Sequence, residues 1–239
     1  MNMLQNKKVV FIGGSSGIGL ESAKQAIAHG AEVVIASRSE NKLQQAKEQL
    51  GMKASVQQLD LTIEHEVEQF FQNIGSFDHL VVSAAETSGG PFLKTDTSQA
   101  RQLFDNKFWG QYYAVKYGAP KLSPNGSIVL FSGVVAYKSM IGSSILGAAN
   151  AAVSNMGKTL ALELAPIRVN VVSPGIMDTP SRSKMTEEAR QQLYESIASR
   201  LPVQRVGTPE DAAQSVMYLL TNSFVTGTVI HVDGGHVLT

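Results

Sequence analysis

Val9-Val10-Phe11-Ile12-Gly13-Gly14-Ser15-Ser16-Gly17-Ile18-Gly19-Leu20 sets out a strand, a tight turn and the start of a helix. Its four leading apolar residues have the unbroken character of a strand buried on both faces, and residues 18–29 form an amphipathic run of helical period. Between them the turn offers free backbone N–H groups at the positive end of a helix dipole, an arrangement suited to a phosphate. The glycines Gly13, Gly17 and Gly19 are spaced Gly-x-x-x-Gly-x-Gly, not as the commoner Gly-x-Gly-x-x-Gly fingerprint. A sharp strand-to-helix turn needs glycine on steric grounds alone. Because this turn opens the first strand–helix unit of the chain, we expect a dinucleotide site there.

Beyond this unit, His29-Gly30 reads as a helix stop, with Gly30 in a left-handed cap. Residues 32–36 form a second strand. Ser37-Arg38-Ser39-Glu40 then leads into a polar helix ending at Leu50, with Ser37 and Glu40 spaced as a capping box. A third strand over 54–59 ends at Asp60-Leu61-Thr62, and the helix after it, 63–74, sets Val67, Phe70, Phe71 and Ile74 on one face. A fourth strand over 78–85 runs into Ser83-Ala84-Ala85. The long helix over 98–119 carries Asn106 among Phe104, Phe108, Trp109, Tyr112, Tyr113 and Tyr117. Pro124-Asn125-Gly126 turns the chain into a strand over 127–131. Ser143 and Ser144 stand ready to cap a helix over 145–164, and a strand over 168–172 ends at Ser173-Pro174-Gly175. Residues 177–207 are polar and helix-bearing. Thr208-Pro209 opens a further helix with proline at its first position, and residues 228–232 make the last strand.

Such regular alternation of strand and helix requires crossover connections and a parallel sheet covered on both faces. The expected fold class is α/β: a Rossmann-type doubly wound parallel sheet of about seven strands, in one domain over residues 1–239 with 177–207 as a lid. Ligands of such sheets lie outside the carboxyl ends of the strands, where the winding reverses. Gly13 to Gly19, Arg38, Asp60, Ala84, Ser132-Gly133 and Pro174-Gly175 all fall at strand ends, so distant parts of the chain converge on one cleft.

Lysine plus arginine and aspartate plus glutamate both number 20, so no net field favours a nucleic acid or a membrane surface. With no cysteine there is no disulfide framework and no thiolate site. His29, His65, His79, His231 and His236 lack ligand spacing and read as surface, cap or sheet-end residues; no metal is expected. The first residues carry no signal-peptide pattern, and no apolar run approaches the roughly 20 residues that span a bilayer. A soluble, cytoplasmic protein is the expectation.

Read together, the turn Gly13–Gly19, Asp60-Leu61, Asn106, Arg168-Val169-Asn170, Pro174-Gly175-Ile176 with Thr179, Leu201-Pro202 through Pro209-Glu210, and Asp233-Gly234-Gly235 resemble, in order and along essentially the whole chain, the short-chain dehydrogenase/reductase family. In the opening turn Ile12 stands where the family has threonine, and Val82-Ser83-Ala84-Ala85 departs from its Asn-Asn-Ala-Gly. The resemblance implies a nicotinamide cofactor held by Gly13, Ser15, Ser16, Gly17, Ile18 and Gly19, by Asp60, Leu61 and Ala84, and by Pro174, Gly175, Ile176 and Thr179. Cofactor choice turns on the end of the second strand, where an NAD site places a carboxylate for the ribose 2′-hydroxyl. Ala36-Ser37-Arg38 has no acid there; the planar guanidinium of Arg38, with Ser37 or Ser15, suits a 2′-phosphate. NADP(H) is expected over NAD(H).

The family's chemistry rests on serine, tyrosine and lysine, the last two spaced Tyr-x-x-x-Lys, with asparagine in the long helix. Gly126-Ser127-Ile128-Val129-Leu130-Phe131-Ser132 matches the strand before the serine, and the helix from Ala151 onward matches the family's helix beyond the lysine. This register sets Gly133 on the serine, Leu146 on the tyrosine and Asn150 on the lysine, leaving only Asn106. Glycine has no hydroxyl, leucine no proton to transfer and asparagine no charge to depress a pKa. Tyr137, Lys138, Ser132, Ser143, Ser144, Tyr112 and Tyr113 are nearby side chains, with Tyr137 and Ser143 the foremost substitutes. The residues leave three readings: an NADP(H)-binding oxidoreductase of weak or atypical activity, a non-catalytic NADP(H) sensor or partner subunit, or a lyase or isomerase using lid residues. The resemblance also implies a homodimer or homotetramer formed through the two long helices, and a small-molecule substrate or effector.

Overall fold

The computed structural model describes residues 3–84, 89–183 and 185–239. Among them, β1 (Lys8–Ile12), β2 (Glu32–Ser37), β3 (Ala54–Gln58), β4 (Phe77–Val82), β5 (Leu122–Phe131), β6 (Arg168–Pro174) and β7 (Val229–Val232) form one parallel sheet in the order β3-β2-β1-β4-β5-β6-β7. The winding reverses between β1 and β4, which opens a crevice at their carboxyl ends. Ala85, the expected end of the fourth strand, lies outside the described residues, as do Met1, Asn2 and Lys184.

Two apolar layers sandwich the sheet. Helices α1 (Gly17–Ala28), α2 (Glu40–Leu50) and α8 (Pro209–Thr221) cover one face through Ala23, Ala26, Leu43, Ala46, Val216 and Leu219. The other face is covered by α3 (Glu64–Ile74), α5 (Gly110–Gly118) and α6 (Ser144–Glu163), with Phe70, Phe71, Ala114, Val115 and Val153 buried. Phe70 and Phe71 pack edge to face and Phe71 stacks on Phe77; each buried phenylalanine contributes roughly 1.5–3 kcal/mol. The buried side of α1 is Gly19, Ser22, Ala23 and Ala26. Those small residues let the helix lie close to the sheet, which seats its N-terminus at the end of β1. Helices α4 (Thr97–Phe104) and α7 (Glu187–Ala198) complete the set, α7 within the lid.

The long helix expected over 98–119 is a composite: α4 and α5 are joined by a π turn over Asp105–Trp109, which contains Asn106. Ser37 does not form the expected capping box. It ends β2 with its hydroxyl buried and without a partner among the described residues, and Ser39 caps α2 by accepting from the Lys42 N–H at 3.4 Å. Ser143 holds the N-cap position of α6 without a side-chain bond to the helix. Residues 123–126 bulge from β5, so that its register with β4 jumps from Phe77↔Leu122 to His79↔Ser127. The capping box of α8 is present, between Thr208 and Asp211. Arg205 grips the same carboxylate at 2.6 and 2.8 Å, and this bond is the main reason that the Asp211 pKa is held down at about 2. Arg168 donates to the Leu219 and Leu220 carbonyls at the other end of α8, where a cation complements the helix dipole.

His79 is a core residue, contrary to the surface or sheet-end position expected of it. It is buried in β4 with Nδ1 2.8 Å from Ser127 Oγ on β5. Burial pushes its pKa down from 6.5 to about 4, against the opposing pull of Asp78. The unfolded chain therefore takes up a proton below pH 6.5 that the folded chain refuses until about pH 4. This stability is present above 6.5 and is lost as the pH falls through that window, about 3 kcal/mol in all. Urea unfolding at pH 6.5 and pH 4 checks the expectation; His79→Gln should flatten the dependence, and an unchanged slope contradicts it. No helix among the described residues is long and apolar enough to cross a membrane.

Candidate active-site cleft

A cleft of about 590 Å³ runs along the carboxyl ends of the strands, floored by the β1–α1 turn. Gly13 holds φ +88°, and a Cβ there would lie 2.3 Å from the Ala84 backbone nitrogen. Glycine is what lets the turn press against the end of β4. Ser16, the N-cap of α1, is extended and makes no side-chain cap, and the first turn holds no acid. The leading N–H groups of α1 are therefore uncapped by the chain itself, as an anion site requires. Ser83 Oγ donates to the Ile12 and Gly13 carbonyls at 3.4 Å, a polar brace in a segment that departs from the family pattern.

On the β2–β3 side the wall is Ser37, Arg38, Asp60 and Leu61, together with Ser39 and Lys42. Gln58 Nε2 donates to the Arg38 carbonyl at 2.9 Å and fixes that backbone. The Asp60 carboxylate accepts from the Thr62 amide at 2.9 Å and hydroxyl at 2.7 Å. Lys42, in the first turn of α2, joins the same wall, and its signal in the sequence is a cation four residues after Arg38.

The β5–β6 side carries Asn106, Gly133, Leu146, Asn150, Pro174, Gly175, Ile176 and Thr179. Asn106 is buried, its Nδ2 donating to the Gln102 carbonyl at 2.9 Å. Asn150 is only 2% exposed. Its Nδ2 lies 2.8 Å from where a Cβ on Gly133 would be, and its Oδ1 has no partner among the described residues. Ser132 Oγ donates to the Asn150 carbonyl at 2.9 Å and accepts from Ser154 Oγ at 2.7 Å, so its hydroxyl is committed to α6. All the residues expected to hold a cofactor, and the four expected at the family's catalytic positions, thus stand on one wall system. Arg168 and Asn170 do not. Asn170 Nδ2 donates to the Val225 carbonyl at 2.9 Å, and both residues tie β6 to the α8–β7 connection.

Of the substitutes weighed from sequence, only Ser132 and Ser143 reach the wall. The Tyr137 ring packs edge-on against His231 at 4.5 Å, and Lys138 donates to the carbonyl of Thr239. Tyr112 and Tyr113 belong to an aromatic array with Phe108 and Trp109. A residue not weighed does reach it: Lys107, 3% exposed, with Nζ donating to the Ser132 carbonyl at 3.0 Å. Burial pushes its pKa down to about 8. The available signal was a lone cation in the aromatic run 104–113, directly after Asn106.

Known proteins share this outline. A family profile described as enoyl-(acyl carrier protein) reductase matches residues 13–237. Carbonyl reductase family member 4 of Xenopus laevis is 33% identical over 96% of this chain and 98% of its own. A solved structure described as a short chain dehydrogenase/reductase family protein superposes with a TM-score of 0.90 at 33% identity, covering 99% and 100% of the two chains. The chain belongs to the short-chain dehydrogenase/reductase family. The chain is also similar to a crystal structure described as a small-chain dehydrogenase in complex with NADPH. It is 39% identical over 98% of this chain and 100% of that one, with a TM-score of 0.87.

Proposed function

We propose that this family member binds NADP(H) and reduces carbonyl compounds by an atypical route, its usual serine, tyrosine and lysine being replaced by Gly133, Leu146 and Asn150. The observation that carries the reading is Arg38 on the cleft wall just beyond the end of β2, with Lys42 of α2 on the same wall and no carboxylate at that strand end. The residues present fit the cofactor. Gly13 keeps the turn clear and the α1 amides are uncapped for a pyrophosphate; Arg38, Ser37 and Ser15 suit a 2′-phosphate, and Ser37 Oγ has no partner among the described residues. Asp60 and Leu61 would hold the adenine side, and Pro174, Gly175, Ile176 and Thr179 the nicotinamide side. When bound, NADPH supplies hydride. Leu146 offers no proton to the substrate oxygen, and the hydroxyl that would orient that oxygen is absent at Gly133. We further propose a homodimer or homotetramer through the long helices, where Trp109, Tyr112 and Leu162 are exposed.

The test is NADPH oxidation across a panel of aldehydes, ketones and quinones, beside a family member that has Tyr-x-x-x-Lys. Turnover is expected to be roughly 10²- to 10⁴-fold slower than in that member. Equal rates would contradict the replacement. Tight NADPH binding without any oxidation favours the second reading, an NADP(H) sensor, which the missing groups at 133, 146 and 150 support.

A further inference from the structure

We infer that Lys107 is the proton donor of this cleft, standing in for the side chains absent at 133, 146 and 150. The inference rests on the cofactor reading above. Lys107 lies in the π turn immediately after Asn106, a helix irregularity frequent at functional sites. It is almost wholly buried and is part of the cleft wall. The one hydrogen-bond partner of its ammonium among the described residues is the Ser132 carbonyl at 3.0 Å. That carbonyl belongs to the peptide linking Ser132 to Gly133, so the ammonium sits against the peptide unit where the family carries its serine. Beside Gly133 stands the Asn150 amide, its oxygen buried and without a partner among the described residues.

A structural role does not account for this cation. Gln111 already braces the helix against the strand end: its Nε2 donates to the Phe131 carbonyl and its Oε1 accepts from the Phe131 amide, both at 2.9 Å. A neutral side chain would fill the same space without the cost of a buried charge, and buried cations are ordinarily paired with an acid. No acid among the described residues pairs this one. Neighbouring β5 and α6 present Ser132, Gly133, Asn150 and Ser154, none of them ionisable, and Asp105 of its own turn is exposed. The other ionisable groups on the wall are Arg38, Lys42 and Asp60 on the β2–β3 side and Arg182 from the lid. Burial brings Lys107 to a pKa of about 8, near the operating range of an efficient general acid.

In the step, the carbonyl carbon accepts hydride and its π electron pair takes a proton from Nζ, giving an alcohol. The neutral amine left behind is reprotonated by solvent entering the cleft.

Lys107→Met is expected to fold, because it replaces a buried cation with an unbranched apolar chain. Three measurements are made on the wild type and this variant: NADPH binding by fluorescence, carbonyl turnover on the panel, and the pH dependence of that turnover. The wild-type rate should be level below pH 8 and fall tenfold per pH unit above it. The variant should bind NADPH as the wild type does, lose at least roughly 100-fold in turnover and lose this limb. Unchanged turnover and profile in the variant would assign Lys107 to bracing alone and overturn the inference. Normal NADPH binding without wild-type turnover at any pH also overturns it, while leaving the cofactor reading in place. Failure of the wild type to bind NADPH defeats both.

Discussion

Gly133→Ser, Leu146→Tyr and Asn150→Lys together are expected to raise NADPH-dependent carbonyl reduction by roughly 10²-fold or more, because a hydroxyl at position 133 orients the substrate oxygen toward an acid positioned by the cation at 150. The backbone presents no obstacle at position 133, where φ is 173° and any residue is tolerated. The obstacle is Asn150, whose Nδ2 is 2.8 Å from the new Cβ. Serine at 133 therefore needs the change at 150 and should not be read alone. Positions 146 and 150 are one helical turn apart on α6, so the new tyrosine and lysine share a face. A lysine at 150 also places a second cation beside Lys107, and like charges in a buried site disfavour each other. Adding Lys107→Met to the triple variant should relieve this without loss of rate, since the tyrosine then carries the proton. A folded triple variant that binds NADPH and shows no gain would refute the assignment of these positions.

The second large effect is expected at Arg38. Arg38→Asp should weaken NADPH binding on the order of 10²-fold, from the loss of charge-assisted bonds worth about 1.5–3 kcal/mol each. It should also improve NADH binding by providing the carboxylate that a ribose 2′-hydroxyl prefers. The Gln58 bond to the Arg38 carbonyl holds the backbone in place, so the change is confined to the side chain. Lys42, also on the wall, should leave a residual preference that Lys42→Ala removes. Parallel titrations of the two cofactors check this; equal losses for both would show that Arg38 does not read the 2′ position.

Much of this architecture is written in local pattern. The unbroken apolar strands and the helices between them announce a doubly wound sheet, and a strand end is a position that pattern can find. For that reason Gly13, Arg38, Asp60, Ala84, Gly133 and Pro174 come to one cleft as expected. The residues that escaped notice depend on contacts that no local pattern encodes. His79 is buried because Ser127, 48 residues away, faces it from the next strand. Ser39 rather than Ser37 caps α2 because β2 runs on through Ser37 to pair with Gln58. Lys107 escaped because regular helical periodicity does not anticipate the π turn, which resets the phase of the helix just where Asn106 and Lys107 meet the cleft.

The central claim is that the cleft holds NADP(H) while the family's usual proton-transfer groups are gone, and its first half is the foundation of everything else. Fluorescence titration of the wild-type protein with NADPH and NADH tests that half directly. Saturable binding is expected for NADPH, at least roughly tenfold tighter than for NADH, as one charge-assisted bond to the 2′-phosphate would give. Binding of neither cofactor, or a preference for NADH, would contradict the account.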